Sequence, residues 1–298
     1  MSNPGASRRF EALANVVSFY DAHPINKEQI LHALESRGVS LDTLTEDILK
    51  DYDQDHYGGV EANDVLAGLA GISRTDHVLD VCSGMGGPSR YLAYRIGCRV
   101  TGLDLTESRV TAAIRLTQLT KLSHLVDFRL GNALEMPFED AHFDVVIGQE
   151  AWAHVPDKAK LIAECVRVLK PGGRIAFTDI LRTPKLAQED MARLRREMTF
   201  PELETLDGYA RLLQANGCEL QQREDLGELW ARVLRERLEM YRSLKAETES
   251  AFGPEHFRKW DSAYAFFVGL YGAGSLTGGR FLARKQATTA AQPRAARR

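Results

Sequence analysis

The stretch Val78-Leu79-Asp80-Val81-Cys82-Ser83-Gly84-Met85-Gly86-Gly87-Pro88-Ser89 decides the fold. Residues 78–81 are an apolar run with the length of a buried strand. Glycines at 84, 86 and 87 then allow the backbone to approach a ligand without Cβ atoms in the way. Pro88 suits the first turn of a helix, and Gly97 suits its end. Strand, glycine turn and helix together predict a nucleotide-type site at the carboxyl end of a parallel strand.

The residues around this turn indicate which nucleotide the site holds. A second predicted strand, residues 98–103, ends at Asp104, whose carboxylate can accept hydrogen bonds from both hydroxyls of a ribose. Ser89 stands where the dinucleotide pattern has its third glycine, and the carboxylate of Asp80 would repel a pyrophosphate. Asp80 instead suits a cofactor with an amino group and a sulfonium, namely S-adenosylmethionine.

The order D-x-x-x-G-x-G-G from Asp80, followed by Asp104 and then by Asn132-Ala133 after a third strand, resembles the class I S-adenosylmethionine-dependent methyltransferases. Within that class the chain most resembles the small-molecule enzymes of the sarcosine/dimethylglycine N-methyltransferase group. Gly86-Gly87-Pro88 and residues 150–154 are also similar to sterol and tocopherol C-methyltransferases. The resemblance covers roughly residues 52–181 and implies S-adenosylmethionine as the cofactor.

The resemblance implies a set of cofactor-binding residues at the ends of the first four strands and in the segment before them. These are Asp80, Ser83, Gly84, Gly86, Asp104, Leu105, Asn132, Ala133, Gln149 and Tyr57. Two residues depart from the family pattern. Cys82 replaces a glycine, and Asn132 replaces an aspartate that accepts from the adenine amino group. An asparagine still accepts through its carbonyl oxygen, so we expect binding to survive.

The alternation of strands and helices predicts an α/β fold with right-handed crossovers. The resemblance implies a doubly wound, mostly parallel seven-stranded sheet of the Rossmann-like methyltransferase type, with residues 278–284 as an antiparallel last strand. We divide the chain into a disordered tail (1–8), a helical N-terminal appendage or lid (9–58), a methyltransferase domain (59–285) and a disordered basic tail (286–298). Residues 182–205 and 227–275 are expected to form helical cap elements.

Composition narrows the class of partner. The 298 residues carry a net charge of −3, which gives no electrostatic reason to expect nucleic acid. No window approaches 18 uninterrupted apolar residues, so we expect no membrane span. The four cysteines lie far apart, which predicts neither zinc nor a disulfide framework and fits the cytoplasm. We expect a monomer or a homodimer.

The segment 51–59 contains alternating aspartates but does not match a calcium loop, because His56 and Ala62 occupy the positions of the required glycine and glutamate. We therefore predict no metal site. Related enzymes have an aromatic and glycine segment here that covers the cofactor, so His56 and Tyr57 are candidate lid residues. The alternative is a surface turn with Tyr57 packed against the core.

Residues 149–154, after the fourth strand, are expected to lie at the methyl end of the cofactor. His154 and Glu150 are the catalytic candidates: His154 can take a proton or orient a substrate oxygen, and Glu150 can anchor a cation. The alternatives are a histidine bonded to backbone and a glutamate paired with an arginine. Trp152 either stacks on a cationic amine or fills the wall. The (Asn/Asp)-Pro-Pro-aromatic turn of nucleic-acid base methyltransferases is absent from this segment.

We therefore predict a small-molecule methyltransferase, with N-methylation of an amine or amino-acid-like substrate favoured. The alternative is C- or O-methylation of an isoprenoid, phenolic or other secondary metabolite. Two further classes remain open: a nicotinamide-dependent oxidoreductase, against which Asp80 counts, and a cofactor-binding scaffold without turnover.

Overall fold

The computed structural model describes residues 4–287 except 22, 24 and 55, with side chains from residue 11 onward except that of residue 251. Its α-helices are α1 (Pro4–Asp21), α2 (Lys27–Ser36), α3 (Glu46–Leu49), α4 (Gly59–Ala70), α5 (Gly87–Ile96), α6 (Glu107–Leu119), α7 (Lys158–Val168), α8 (Gln188–Glu197), α9 (Leu206–Ala215), α10 (Gly227–Ser243), α11 (Lys245–Phe252) and α12 (Pro254–Gly272). The strands are β1 (His77–Val81), β2 (Arg99–Asp104), β3 (Val126–Leu130), β4 (Phe143–Gln149), β5 (Leu169–Arg182), β6 (Cys218–Asp225) and β7 (Leu276–Lys285). Within this described part, no helix has the length and apolarity needed to cross a bilayer.

The strands form one seven-stranded sheet in the order β3-β2-β1-β4-β5-β7-β6. β1 to β5 run parallel, whereas β7 pairs antiparallel with both β5 and β6. The doubly wound, mostly parallel fold expected from the sequence is thus confirmed. β1 lies between β2 and β4, so the order of connections reverses beside it, and open α/β sheets bind ligands at such a point.

Three element boundaries follow from the structure. Residues 170–173 are part of β5, because a shift of register between Phe143 and Val145 absorbs them in the pairing with β4. Residues 227–252 form two helices, α10 and α11, which are divided at Leu244. Residues 4–8, predicted as a disordered tail, belong to α1, whose first residue is a proline, a residue tolerated in a first turn. Residues 1–3 and 288–298 lie outside the described residues.

The sheet has an apolar cluster on each face. Val78 and Val145 face the helices α4 to α6, whereas their neighbours Leu79 and Val146 face α7 and α9, because successive strand residues point to opposite sides. All four of these residues are completely buried. The central strands are therefore covered on both faces, as the apolar runs in the sequence predict.

The N-terminal helices pack against the domain through a third apolar cluster. Asn26 begins α2 as an N-cap, and its Oδ1 accepts a hydrogen bond from the Gln29 amide at 3.0 Å. Leu34 and Leu49 are completely buried, and their cluster includes Met85 of the glycine turn. The appendage therefore shares part of its core with the turn that decides the fold.

A buried ion cluster fastens the same segment to α5. The guanidinium of Arg90, completely buried, pairs with the carboxylate of Asp53 and lies 3.4 Å from that of Glu46. It also donates to the carbonyl oxygen of Met85 at 2.8 Å. Burial raises the pKa of both carboxyl groups, while the charge of Arg90 lowers it. One side chain thus joins the appendage, the segment before α4 and the glycine turn.

We expect Arg90→Met to destabilise the fold by about 3–5 kcal/mol, because it leaves buried carboxylates without their countercharge. Denaturant unfolding measures this free energy. Arg242→Met is the matched control: Arg242 pairs with Asp261 at 2.6 Å, but its side chain is 50% exposed, so we expect a cost of about 0–1 kcal/mol. Equal costs for the two variants would contradict the structural role of the cluster.

Candidate functional site

The glycine turn is held against the end of β2 by backbone hydrogen bonds. The amides of Cys82 and Ser83 both donate to the carbonyl oxygen of Leu103, at 2.8 and 3.0 Å. Cys82 has a φ of 65°, a left-handed conformation that explains the glycine usual at this position. Gly86 also has positive φ, and a Cβ added there would collide with the ring of Phe128. Gly86 is therefore required for packing beneath the turn, which the sequence did not reveal.

Gly84, unlike Gly86, has open space where a side chain would be. Its φ is 54°, and a Cβ added to it would meet no described atom within 4 Å. The neighbouring Ser83 Oγ is buried and has no hydrogen-bond partner among the described residues. Open space beside a glycine and an unpartnered buried hydroxyl are what a cradle for a polar ligand requires. These residues fit the cofactor expected from the sequence.

Asp104 lies beside this space at the end of β2. Its Oδ2 accepts from the Gly84 amide at 2.8 Å and its Oδ1 from the Thr106 amide at 2.9 Å. Burial raises the pKa of this carboxyl group, and the two amides lower it. Each oxygen keeps a lone pair, so the carboxylate can still accept two ribose hydroxyls. Leu105 is half-buried next to it.

Asp80 has a structural partner as well. Its Oδ2 accepts from Ser89 Oγ at 2.6 Å, which joins the end of β1 to the start of α5. Burial raises its pKa to about 6, against the lowering effect of that hydroxyl. The serine that replaces the third glycine of the dinucleotide pattern therefore serves to hold the carboxylate.

Asn132 and Ala133 form a turn after β3. Asn132 Oδ1 accepts from the Leu134 amide at 2.9 Å, and Ala133 is buried. The carbonyl oxygen predicted to accept from an adenine amino group therefore already has one donor. A second lone pair remains for the adenine.

The segment before α4 reaches the end of β4, which brings four predicted residues together. His56 Nδ1 lies 3.3 Å from Gln149 Nε2, and the amide of Tyr57 donates to Glu150 Oε2 at 2.6 Å. The Tyr57 ring packs edge-on against Trp230 of α10, with 5.0 Å between ring centroids. His56 is buried. The segment thus contacts the end of β4, as a lid would, while the Tyr57 ring packs against the core, as the alternative of a surface turn expects.

The hydrogen bonds of Glu150 come from a threonine and a backbone amide, and the charge of Arg237 in α10 also acts on its carboxylate, so the alternative of a glutamate paired with an arginine stays open. Besides the Tyr57 amide, Thr178 Oγ1 donates to Oε1 at 2.5 Å. Glu150 itself has a φ of 53°, a costly conformation for a residue with a side chain. Burial raises its pKa to about 7, which the Thr178 hydroxyl and the Tyr57 amide oppose. A buried carboxyl group that titrates near neutrality is a candidate for chemistry.

Trp152 fills the wall and does not face a substrate. It is completely buried, its Nε1 donates to the carbonyl oxygen of Val81 at 3.1 Å, and its ring stacks on Phe177 with 4.3 Å between centroids. Of the two alternatives for Trp152, the structure favours the one in which it fills the wall, because its ring lies in the core.

His154 uses both ring nitrogens. Nε2 lies 3.1 Å from the hydroxyl of Tyr20, and Nδ1 lies 3.0 Å from Thr199 Oγ1. The ring contacts Phe200 at 4.8 Å between centroids. Burial lowers its pKa to about 3, so His154 is neutral at ordinary pH. Both of these partners of the ring are side-chain hydroxyls, and a hydrogen bond with the Thr199 backbone raises the pKa against burial, so the alternative of a histidine bonded to backbone stays open.

Two basic residues that were not predicted from the sequence hold the backbone near Tyr20 and His154. Arg109 of α6 donates to the carbonyl oxygens of Tyr20 and Ile25, at 3.0 and 2.8 Å. Lys158 of α7 donates to the carbonyl oxygens of Val155 and Glu202, at 2.5 and 2.9 Å. Arg109 could have been noticed in the sequence as a basic residue shortly after Asp104. The sequence near Lys158 does not indicate which distant carbonyl oxygens this lysine binds. Among the described residues, no three side chains of His, Cys, Asp or Glu converge on a metal-sized site.

The sheet order and the cradle at its switch point define a class I S-adenosylmethionine-dependent methyltransferase domain. Residues 79–177 match the family model described as a methyltransferase domain. The resemblance found in the sequence is thus confirmed, and S-adenosylmethionine is the cofactor of this domain.

The chain is 30% identical over 219 residues to the glycine/sarcosine/dimethylglycine N-methyltransferase of Actinopolyspora halophila, covering 74% of this chain and 39% of that protein. It is 33% identical over 171 residues to the chloroplastic tocopherol O-methyltransferase of Arabidopsis thaliana, covering 53% and 49%. The chain thus spans less than half of the length of either relative. A structure from Galdieria sulphuraria, described as a sarcosine dimethylglycine methyltransferase, superposes with a TM-score of 0.71 at 21% identity, covering 87% of this chain and 98% of that one.

We expect Gly84→Val to abolish binding of S-adenosylmethionine, because the new side chain would occupy the open space of the cradle. Isothermal titration calorimetry measures this affinity. Gly217→Val is the matched control, since Gly217 also has positive φ (77°) and open space where a Cβ would be added, but lies at the end of α9. The control should lose a similar amount of stability and keep its affinity. Retained affinity in Gly84→Val would refute the cradle.

We expect His154 to make the fold less stable in acid. Its pKa is about 6.5 when unfolded and about 3 when folded, so its contribution is complete above pH 6.5 and falls as the pH drops toward 3. The limiting slope is about 1.4 kcal/mol per pH unit. Unfolding free energies measured at several pH values should fall less steeply in His154→Gln than in the wild type. The control, His124→Gln, changes an exposed ring. Parallel curves for wild type and His154→Gln would disprove the assignment.

Proposed function

We propose that this protein transfers a methyl group from S-adenosylmethionine to a small molecule, by N-methylation of an amine or amino-acid-like acceptor. The observation that carries the proposal is the cradle itself. Gly84 leaves space, Ser83 offers an unpartnered hydroxyl, and Asp104 keeps two lone pairs beside them. The similarity to an N-methyltransferase of glycine, sarcosine and dimethylglycine supports an amine as the acceptor.

The residues at the carboxyl ends of the strands would each bind a different part of the cofactor. Asp104 would hold the ribose hydroxyls, Asn132 and Ala133 the adenine, and the turn at Ser83 and Gly84 the amino-acid end. Bound there, the cofactor supplies an electrophilic methyl carbon on a sulfonium. The chain's own contribution is to orient the acceptor and to exclude water, since methyl transfer depends chiefly on alignment and desolvation.

Glu150 would attract a cationic acceptor. Its carboxyl group is buried, and with a pKa of about 7 it is partly ionised at neutral pH. Hydrogen bonds from Thr178 and the Tyr57 amide fix its orientation. A fixed carboxylate in a dry site interacts more strongly with an ammonium group than one in water. The role of Glu150 is therefore to select and orient the amine.

His154 and Tyr20 would accept the acceptor's proton and pass it on. An amine acts as a nucleophile through its lone pair, so a proton must leave it before or after the methyl arrives. The low pKa of His154 means that the imidazole does not store this proton as a cation. The hydrogen bond between Tyr20 and His154 instead provides a pair of groups through which a proton can pass.

The second candidate is O- or C-methylation of a phenolic or isoprenoid acceptor. The aromatic side chains around His154 favour it: Phe19, Tyr20 and Phe200 lie within 4.8–6.0 Å of its ring, centroid to centroid. The similarity to a tocopherol O-methyltransferase points the same way. An apolar acceptor would use these rings and would give Glu150 no cationic group to bind.

Cytoplasmic location and a monomeric or homodimeric state remain part of this proposal. The support is compositional. The four cysteines are free thiols in the structure, as is usual for proteins of a reducing compartment.

Incubation with methyl-labelled S-adenosylmethionine and a panel of primary, secondary and tertiary amines, phenols and isoprenoids tests the proposal. We expect label in an amine, with Glu150→Gln raising the KM of that amine at least about tenfold through loss of a charge-assisted contact. Label only in phenols or isoprenoids would establish the second candidate. Tight cofactor binding without any labelled product would indicate a scaffold, and binding of NADH instead would indicate an oxidoreductase.

A further inference from the structure

A cleft of about 630 Å³ opens on the surface between α1 and the segment that follows α8. Its polar lining consists of Glu11 and Asn15 from α1, Arg195 from α8, and Glu202 and Thr199 from the following segment. Thr199 has a second contact, because its Oγ1 lies 3.0 Å from His154 Nδ1. The same residue therefore borders the surface cleft and bonds to the buried histidine.

The backbone at Thr199 is in an unfavourable conformation. Its φ is 55°, and a β-branched residue with positive φ is an outlier. Its neighbours Met198 and Phe200 are buried, so the segment is fixed on both sides. Lys158 adds a further constraint, because it donates to two carbonyl oxygens. One belongs to Val155, next to His154, and the other to Glu202, in the segment of Thr199. The fold thus holds a strained threonine where its hydroxyl meets the imidazole.

We infer that Thr199 is the outer member of a proton relay, Tyr20–His154–Thr199, which delivers the acceptor's proton to water in this cleft. The inference rests on the proposed function and adds the route by which the proton leaves. Tyr20 and His154 are joined at 3.1 Å and His154 and Thr199 at 3.0 Å, both within hydrogen-bond range. Hydroxyl groups both donate and accept, so each link can carry a proton in either direction.

Each side chain of the relay carries the same charge before and after the proton passes. When the acceptor nitrogen forms its bond to the methyl carbon, the carbon–sulfur bond breaks and its electron pair stays on sulfur. The acceptor's proton passes to the Tyr20 oxygen as the Tyr20 proton moves to His154 Nε2. The proton on Nδ1 moves to the Thr199 oxygen, which releases its own proton to water. His154 exchanges one neutral tautomer for the other, consistent with the low pKa that burial gives it.

Thr199→Val tests the relay, because valine has the shape of threonine but no hydroxyl. We expect kcat to fall about 10- to 100-fold, the range of one proton-transfer contribution, with the KM for cofactor and acceptor unchanged. The solvent deuterium isotope effect on kcat should rise, since release of the proton becomes rate-limiting. Thr199→Ser, which restores the hydroxyl, should return kcat to within about threefold of the wild type. Wild-type turnover in Thr199→Val, or no rescue by Thr199→Ser, would overturn the inference.

A measurement on the protein without substrates separates the relay from the proposed function. The exchange of the His154 ring proton with water, followed by ¹⁵N-edited NMR, should be at least about tenfold slower in Thr199→Val than in the wild type and in Thr199→Ser, because a buried donor without its relay partner exchanges only on opening. Equal exchange rates would overturn the relay. If exchange slows as expected but the wild type methylates no acceptor, the proposed function fails and the proton route stands.

Discussion

The site depends on the way the end of β2 holds the turn that follows β1. The carbonyl oxygen of Leu103 receives two amides of that turn, and the carboxylate of Asp104 receives a third from Gly84. These bonds form because β1 and β2 are parallel and in register, with Val81 opposite Leu103. A shift of one residue would turn the carboxylate away from the cradle and move its side chain to the other face. The pairing of two short strands therefore fixes the distance between the glycine turn and the ribose carboxylate.

The N-terminal segment is attached to this framework by charges and not only by apolar contact. Arg90 binds Asp53 on one side and the carbonyl oxygen of Met85 on the other, while Arg109, in the first turn of α6, binds carbonyl oxygens at and beyond the end of α1. Both arginines lie in helices that begin directly after the turns proposed to bind the cofactor. Single side chains thus join these turns to the N-terminal segment by hydrogen bonds.

Much of the fold could be predicted from the sequence, because it is recorded in local patterns. The apolar runs of β1 and β4, the N-cap at Asn26 and the glycine at 97 each determine their own element. The proposed cofactor residues at the ends of β1 to β4 come from the same kind of pattern, since each of them follows a strand, whereas Tyr57 does not. Tyr20, Thr199 and Arg90 were not, because their partners lie 134, 45 and 37 residues away along the chain. No spacing rule connects residues that only the folded chain brings together.

Three residues with an unfavourable backbone conformation lie at the candidate site. The described residues other than glycine that have positive φ are Cys82, Lys121, Ala141, Glu150 and Thr199. Cys82 shapes the cradle, Glu150 carries the buried carboxyl group and Thr199 bonds to His154. Such conformations cost about 1–3 kcal/mol each, and they persist where the surrounding structure requires them. Glycine would relieve the strain at Glu150 and Thr199 but would remove the carboxylate and the hydroxyl. The fold therefore accepts an unfavourable backbone at two positions, one that bonds to the histidine and one that is proposed to face the acceptor, and a strained backbone of this kind is typical of a site built for chemistry.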